Sequence, residues 1–270
     1  MKQKKKYLIA LEETRSVVAL IAGILVFCSA LASIFIMAMN YDGTKIHPLQ
    51  YFTVWSNLLS SVAAALMFPY AVEGIRKKRF SLPRWIVVLQ YSGAICVATT
   101  MVAALALILP TQGSKAVTGT NFWLHIVSPI LTIVLFECVE TGISFSRKTA
   151  VFTLVPYLVY MIVYLIMVVI IGEENGGWSD FYMTMAFWPA WVSAILMLAV
   201  GLAISLVLRL LHNKRAAQYW NRIARMWSKD LDSTALLIEA FGLGRYIGGR
   251  SSSAELVIPL DIFKIGRAHV

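Results

Sequence analysis

The sequence has few charged residues: Asp, Glu, Lys and Arg make up 14% of its 270 positions, whereas a soluble domain carries about a quarter. Water is therefore excluded as the main solvent of the folded chain. Cysteine is also scarce, and Cys28, Cys96 and Cys138 each lie alone in an apolar run. This spacing provides neither a disulfide framework nor a paired metal site, so we interpret the three as small core residues.

Motifs for metals and cofactors are missing as well. His47, His125 and His212 do not cluster at the spacing of metal ligands. The glycine-rich segment 242–248 lacks the spacing of a dinucleotide-binding fingerprint, and no strand is expected before it. The sequence therefore predicts no metal and no cofactor.

Apolar residues, by contrast, are abundant and make up 59% of the chain. A helix that crosses hydrocarbon needs about 20 of them in a row, because each backbone amide must be bonded within the segment. Six stretches meet this requirement: Val17–Met39, Leu49–Val72, Trp85–Leu109, Phe122–Val139, Ala150–Ile171 and Phe187–Leu211. We predict an all-α integral membrane protein in which residues 1–212 form one domain of six transmembrane helices.

The net charge of +10 at pH 7 comes from basic residues bunched between the apolar stretches. Such bunching is typical of membrane-orienting charges rather than of a nucleic-acid surface. The residues lie before the first stretch, in the second and fourth connections and at the start of the tail: Lys2, Lys4, Lys5, Lys6, Arg15, Arg76, Lys77, Lys78, Arg79, Arg84, Arg147, Lys148, Arg209, Lys214 and Arg215. Both termini are therefore predicted to be cytoplasmic, and nucleic acid is not predicted as a partner.

The tail, residues 213–264, is predicted to be a cytoplasmic segment that begins with an amphipathic helix. Between Asn213 and Lys229, aromatic and aliphatic residues recur at helical spacing with arginines between them, which indicates a helix on the inner leaflet. A partner-binding helix is the alternative. Residues 265–270 match the translation of a widely used short-read sequencing adapter, so we interpret them as an artefact and expect the natural carboxyl terminus to differ.

Polar side chains inside the stretches form two clusters. Such side chains are costly in hydrocarbon, so we treat those that are present as candidates for a function. In the second stretch they share one helical face: Gln50, Thr53, Ser56, Asn57 and Ser60. In the fourth stretch Ser128, Thr132 and Glu140 lie near the His125 side. Glu137 points about 120° away from it.

Thr53 and His125 are the members of these clusters that suggest chemistry. Both lie just inside the predicted outer end of their stretches, roughly 6–8 Å deep at about 1.5 Å per residue, so they can meet if the helices are neighbours. A threonine hydroxyl attacks an ester carbonyl when a neutral imidazole takes its proton, which predicts acyl transfer with Thr53 as nucleophile and His125 as base. Ser56, Asn57, Ser128 or a helix amide are candidates for stabilising the oxyanion.

Other interpretations stay open. No third residue that orients His125 is evident, because Glu140 lies roughly 20 Å further along the helix. Ser, Thr, Asn and His side chains also hydrogen-bond between packed helices without any chemistry. A small-molecule or ion transporter is a second hypothesis, with Glu137 as its deeply placed ionisable residue. A membrane sensor or scaffold is a third.

Two motifs carry a resemblance to a known family. The run Tyr51-Phe52-Thr53-Val54-Trp55-Ser56-Asn57-Leu58 and the pair His125-x-x-x-Pro129 resemble the androgen-induced and androgen-dependent membrane hydrolases of fatty acid esters of hydroxy fatty acids. The segment Gly176-Gly177-Trp178-x-Asp180-Phe181-Tyr182 resembles the six-span bacterial proteins grouped with them. The resemblance covers about residues 10 to 212.

This resemblance implies a function and a location. It implies that Thr53 and His125 are the catalytic pair of an intramembrane hydrolase, that membrane lipids surround it and that a lipid (fatty acyl) ester is its substrate. It also implies a place in the bacterial plasma membrane. The natural substrate, its chain length and the oligomeric state are not implied.

Overall fold

The structure, a computed structural model, describes residues 2–43, 46–139, 142–182, 184–185 and 189–227. Within these ranges the chain is all-helical, and six helices are long and apolar enough to cross a membrane. Their bounds, which define spans 1 to 6, are Ile9–Met39, Phe52–Lys77, Arg84–Thr111, Gly119–Val139, Arg147–Ile171 and Ala190–Trp220. The prediction of an all-α protein with six helices long and apolar enough to cross a membrane is thus confirmed.

The second span begins three residues later than its apolar pattern indicated. Pro48–Gln50 forms a separate 3₁₀ turn, which His47 caps by accepting the Leu49 amide through Nδ1. Tyr51 is extended, and the α-helix starts at Phe52. Gln50 therefore does not belong to the helical face on which it was predicted.

Three spans contain a wider, π-helical stretch, and all three stretches lie toward the same end of the bundle. They are Ala104–Ile108 in span 3, Trp123–Val127 in span 4 and Ile166–Ile171 in span 5. Pro110 and Pro129 follow the first two. Because proline has no amide hydrogen and its ring collides with the carbonyl four residues earlier, it favours such a departure from α geometry.

The last helix continues without a break from Ala190 to Trp227, so the part of the tail that is described extends span 6. Its aromatic side chains contact other parts of the protein: the Tyr219 hydroxyl donates to Glu12 Oε1 at 3.0 Å, and the Trp220 indole donates to the Gly142 carbonyl at 3.1 Å. A position on the inner leaflet stays a prediction. Residues 228–264, the suspected artefact at 265–270 and Glu140 lie outside the described residues.

All six spans contribute buried residues to the core, span 5 through Ala150, Leu154 and Tyr157. Gly93 of span 3 lies so close to span 2 that an added Cβ would be 3.0 Å from Ser60 Oγ and 3.3 Å from Ser60 Cα. The Tyr91 ring stacks on Phe136 of span 4 with 5.0 Å between ring centroids, and its hydroxyl donates to the Ser205 carbonyl of span 6 at 2.6 Å. These contacts fix spans 2, 4 and 6 against span 3.

The bundle has two unlike ends. At one, which we call the basic end, the start of span 1 meets the connection after span 2 and the end of span 4: Glu12 accepts the Phe80 amide, and Arg15 donates to the Val139 carbonyl. At the other, which we call the site end, span 2 begins at Phe52 and the described part of the connection between spans 5 and 6 folds over it. Thr53 and His125 lie at the site end.

Candidate active site

The site end brings Thr53 and His125 together. Thr53 is the second residue of the span 2 helix, and His125 lies in the π-helical stretch of span 4. Thr53 Oγ1 and His125 Nε2 are 3.2 Å apart, and the two residues are only 8% and 6% exposed. Both distance and burial are suited to a hydrogen bond that is protected from bulk water.

A backbone carbonyl orients the imidazole of His125. Its Nδ1 lies 2.7 Å from the carbonyl oxygen of Ala116, which belongs to the 3₁₀ turn Gly113–Val117 before span 4. A carbonyl only accepts, so Nδ1 must carry the hydrogen. In the neutral ring Nε2 is then left as an acceptor, and it faces the Thr53 hydroxyl. The Ala116 carbonyl thus orients His125, a function for which no side chain was evident in the sequence.

Asn57 links the two halves of the pair. Its Nδ2 donates to the Thr53 carbonyl at 2.8 Å and to the Leu124 carbonyl at 3.1 Å. Leu124 immediately precedes His125 within the wider π turn, and such turns recur at functional sites. Asn57 therefore fixes the start of span 2 against the turn that carries the imidazole, and it is fully buried.

The three side chains predicted to stabilise an oxyanion are all buried near the pair, but two of them, Ser56 and Asn57, direct their donors elsewhere. Both Nδ2 hydrogens of Asn57 are used by the carbonyls of Thr53 and Leu124. Ser56 Oγ lies 3.0 Å from both the Thr53 carbonyl and Thr100 Oγ1. Ser128 Oγ is buried without a hydrogen-bond partner among the described residues, one helical turn deeper than His125.

Tyr182 is a further neighbour of Thr53 that was not predicted as a site residue from the sequence. Its hydroxyl accepts the Phe52 amide at 2.9 Å and also interacts with the Thr53 and Tyr160 hydroxyls. Burial raises the pKa of Tyr182 to about 12, so the phenol keeps its proton at neutral pH. In the sequence, Tyr182 was noticed only as part of the segment Gly176–Tyr182. That segment contributed to the family resemblance but assigned no role to Tyr182.

Asp180 organises the connection that carries Tyr182. Its Oδ1 accepts the Tyr164 hydroxyl at 2.8 Å, the Thr184 amide at 2.8 Å and the Thr184 hydroxyl at 2.9 Å, while Oδ2 accepts the Met185 amide at 2.8 Å. Burial acts to raise the pKa of Asp180, but these hydrogen bonds, led by the Met185 amide, hold it below its usual range. The carboxylate is therefore charged at neutral pH and holds the connection in one conformation.

A cleft begins at Thr53 and continues between spans 3, 5 and 6. Its empty space is about 620 Å³ including the open mouth. The wall is mainly apolar, with hydroxyl groups among the rings and methyl groups, as these lining residues illustrate: Phe52, Thr100, Tyr160, Met161, Leu165 and Met197. An apolar wall of this kind can contact the apolar part of a ligand whose polar group lies near the hydroxyl of Thr53.

Known proteins do not assign this chain to a family. No family model, curated protein or solved structure matches it. A function must therefore be inferred from the contacts of Thr53 and His125, and the resemblance of the short motifs remains a proposal about ancestry and activity.

Two other polar residues singled out in the sequence lie away from the pair. Glu137 is buried toward the basic end, where its Oε2 is 3.8 Å from Arg215 Nε. His212 is also at the basic end, with its Nε2 3.0 Å from the Ile143 carbonyl. Within the described ranges, no group of three or more His, Cys, Asp or Glu side chains could hold a metal ion.

Proposed function

We propose that the protein is an intramembrane threonine hydrolase that cleaves lipid (fatty acyl) esters, with Thr53 as nucleophile and His125 as general base. The observation that carries the proposal is the 3.2 Å contact between Thr53 Oγ1 and His125 Nε2. The hydrogen bond from His125 Nδ1 to the Ala116 carbonyl supports it, because that bond leaves Nε2 as the acceptor.

The first half of the reaction transfers the acyl group to Thr53. As Oγ1 attacks the ester carbonyl carbon, its proton passes to His125 Nε2. The imidazolium that forms keeps its Nδ1 hydrogen bond to the Ala116 carbonyl, whose partial negative charge favours the cation. The tetrahedral intermediate then collapses, the ester C–O bond breaks, and Nε2 returns the proton to the departing alkoxide.

Water completes the cycle. It enters the position left by the alcohol, gives a proton to Nε2 and attacks the acyl carbon of the threonine ester. Collapse of the second tetrahedral intermediate breaks the bond to Thr53 Oγ1, which regains its proton from Nε2. The products are a carboxylic acid and an alcohol, and the enzyme returns to its starting state.

The cleft supports a lipid as the substrate. Its mainly apolar wall begins at Thr53 and passes between helices that are long and apolar enough to span a membrane. The acyl chain of a membrane lipid can pack against such a wall without leaving apolar surroundings, because lipid tails and the lining side chains are similarly apolar. We place both termini in the cytoplasm of a bacterium and the site end toward the outer leaflet of its plasma membrane, on the distribution of Lys and Arg.

The experiment uses the full chain purified in detergent, a fluorophosphonate probe and a panel of fatty acyl esters. Wild type is expected to be labelled and to hydrolyse esters, and Thr53→Ala to lose both by about three orders of magnitude or more. Ser61→Ala is the matched control, because Ser61 is a buried residue of the same helix whose hydroxyl donates to the carbonyl of Asn57. Labelling and turnover that persist in Thr53→Ala would overturn the proposal.

A further inference from the structure

The hydrogens around Thr53 can be assigned one by one. The Thr53 hydroxyl donates to His125 Nε2, since that nitrogen is the acceptor. The Tyr160 hydroxyl donates to the Gln50 carbonyl at 2.5 Å. The Tyr182 hydroxyl accepts the Phe52 amide at 2.9 Å. With those two hydrogens used elsewhere, the Tyr182 hydrogen is the one that lies between its oxygen and the Thr53 and Tyr160 oxygens. It can turn to a new acceptor formed beside Thr53 Oγ1.

An acyl-transfer reaction creates such an acceptor. When Thr53 Oγ1 bonds to the carbonyl carbon, the former carbonyl oxygen on that carbon becomes negative and needs a donor that is already in place. Ser56 and Asn57 direct their donors to backbone carbonyls. Tyr182 lines the same cleft as Thr53.

We propose that Tyr182 is a further catalytic residue, whose hydroxyl donates a hydrogen bond to the oxyanion formed on Thr53 attack, and that Asp180 is the residue that positions it. The inference rests on the proposed hydrolase function. The Phe52 amide, at the amino terminus of the span 2 helix, donates to the same phenol oxygen. A phenol that accepts from a helix amide is polarised and donates more strongly, because hydrogen bonds in a chain reinforce one another.

The connection that carries Tyr182 is held by Asp180 and by rings. Asp180 bonds the Tyr164 hydroxyl of span 5 and the residues that follow Tyr182. The Phe181 ring lies 5.0 Å from Tyr51 and 5.2 Å from Tyr164, centroid to centroid. The backbone permits this conformation because Gly177 has no side chain: a Cβ there would be 2.1 Å from the Met167 carbonyl oxygen. The phenol is thus preorganised before substrate binds.

The test compares Tyr182→Phe with wild type in the purified full chain. We expect kcat to fall about 10²-fold or more with little change in KM, the signature of a donor that acts only in the transition state. A trifluoromethyl ketone analogue, which forms a tetrahedral adduct with the nucleophile, is expected to bind more weakly by the factor by which kcat/KM falls. An ether analogue of the ester, which forms no adduct, is expected to bind equally well to both.

Two further variants separate catalysis from folding. Tyr91→Phe removes another buried phenol hydroxyl, bonded to the Ser205 carbonyl, and is expected to keep kcat. Asp180→Asn is expected to lower kcat less than Tyr182→Phe does, because some hydrogen bonds survive. The double variant Asp180→Asn with Tyr182→Phe is expected to be no slower than Tyr182→Phe alone, since Asp180 acts through Tyr182.

The outcomes distinguish this inference from the hydrolase proposal. Turnover that is lost in Thr53→Ala but unchanged in Tyr182→Phe, or changed there only in KM, would overturn the role of Tyr182 and leave the hydrolase intact. Equal loss of affinity for the ketone and the ether in Tyr182→Phe would also overturn it. Wild-type turnover in Thr53→Ala, or a wild type with neither turnover nor labelling, would overturn both proposals.

Discussion

The two ends of the helical bundle both contain buried polar side chains, but they use them differently. At the basic end the Glu12 carboxylate accepts three hydrogen bonds, from Arg15 Nη1 at 2.8 Å, the Tyr219 hydroxyl at 3.0 Å and the Phe80 amide at 3.1 Å. Arg15 in turn donates to the Val139 carbonyl. Donors and acceptors here come from spans 1, 4 and 6 and a connection, and they bind the elements to one another.

At the site end the central hydrogen bond joins a hydroxyl to an imidazole beside a cleft. Thr53 lines that cleft, and its hydroxyl contacts Nε2 of His125, a nitrogen that can take a proton. The comparison teaches that burial and hydrogen bonding alone do not mark a functional site in this protein. What distinguishes the site end is a hydroxyl that both contacts an imidazole and lines a space that a ligand can enter, the arrangement on which the proposed nucleophile and base depend.

The two buried histidines provide the largest expected contrast. His125→Gln keeps a side chain that can accept from Thr53 but cannot take up its proton, so we expect ester turnover per folded molecule to fall about 10²- to 10⁴-fold. His212→Gln, at the basic end, is expected to keep turnover. The measurement is kcat for both variants, normalised to the folded fraction by size-exclusion chromatography. Equal losses in the two variants would remove the distinction between the ends.

The ion pair at the basic end is expected to give the next largest effect, on stability alone. Arg15→Ala removes the guanidinium from the buried Glu12 carboxylate and leaves it, among the described residues, with two neutral donors, which costs about 3 kcal/mol of unfolding free energy. Unfolding in mixed detergent micelles measures this cost. A fall in kcat of tenfold or more without loss of stability would contradict a purely structural role.

A smaller effect on stability is expected at Asn213. Its side chain accepts the Phe145 amide at 2.8 Å and donates to the Phe145 carbonyl at 2.9 Å, which joins span 6 to the connection after span 4. Asn213→Ala is expected to lower the unfolding free energy by about 1–2 kcal/mol, because the Phe145 amide loses its partner and the Phe145 carbonyl keeps only the bond from Arg209 Nε. Turnover per folded molecule should not change, and a change in it would link the basic end to the chemistry.

The smallest effect is expected at Ser128, although it lies at the site end. Its Oγ has no hydrogen-bond partner among the described residues. Replacing an unbonded hydroxyl by hydrogen removes no hydrogen bond, so Ser128→Ala should change the unfolding free energy by no more than about 0.5 kcal/mol and leave kcat unaltered. A tenfold loss of kcat would restore Ser128 as a candidate for stabilising the oxyanion.

Much of the fold could be predicted from the sequence, because each span needs an apolar run of a fixed minimum length. Thr53 and His125 lie at a similar depth from the ends of two such runs, which was enough to suggest that they could meet. The start of span 2 at Phe52 was harder to predict, since the 3₁₀ turn Pro48–Gln50 continues the same apolar pattern without being part of the helix.

The groups that complete the site could not be read from residue types. The Ala116 carbonyl orients His125, and a backbone carbonyl has no signature in the sequence. Tyr182 lies beside Thr53 because the connection that carries it folds back over span 2, in a conformation that depends on Asp180 and Gly177. The positions of residues along the sequence do not reveal where such a connection folds back. The occupied donors of Asn57 likewise became evident only from its contacts with two different spans.

The most direct test of the account is to locate the covalent adduct by peptide mass spectrometry after reaction with the fluorophosphonate probe. The account predicts that the phosphonyl group is on the Thr53 hydroxyl and that His125→Gln slows its formation. It also predicts that Ser61→Ala forms the adduct at the wild-type rate. An adduct on another hydroxyl, such as that of Ser56, or ester turnover without any adduct in the peptide that contains Thr53, would contradict it.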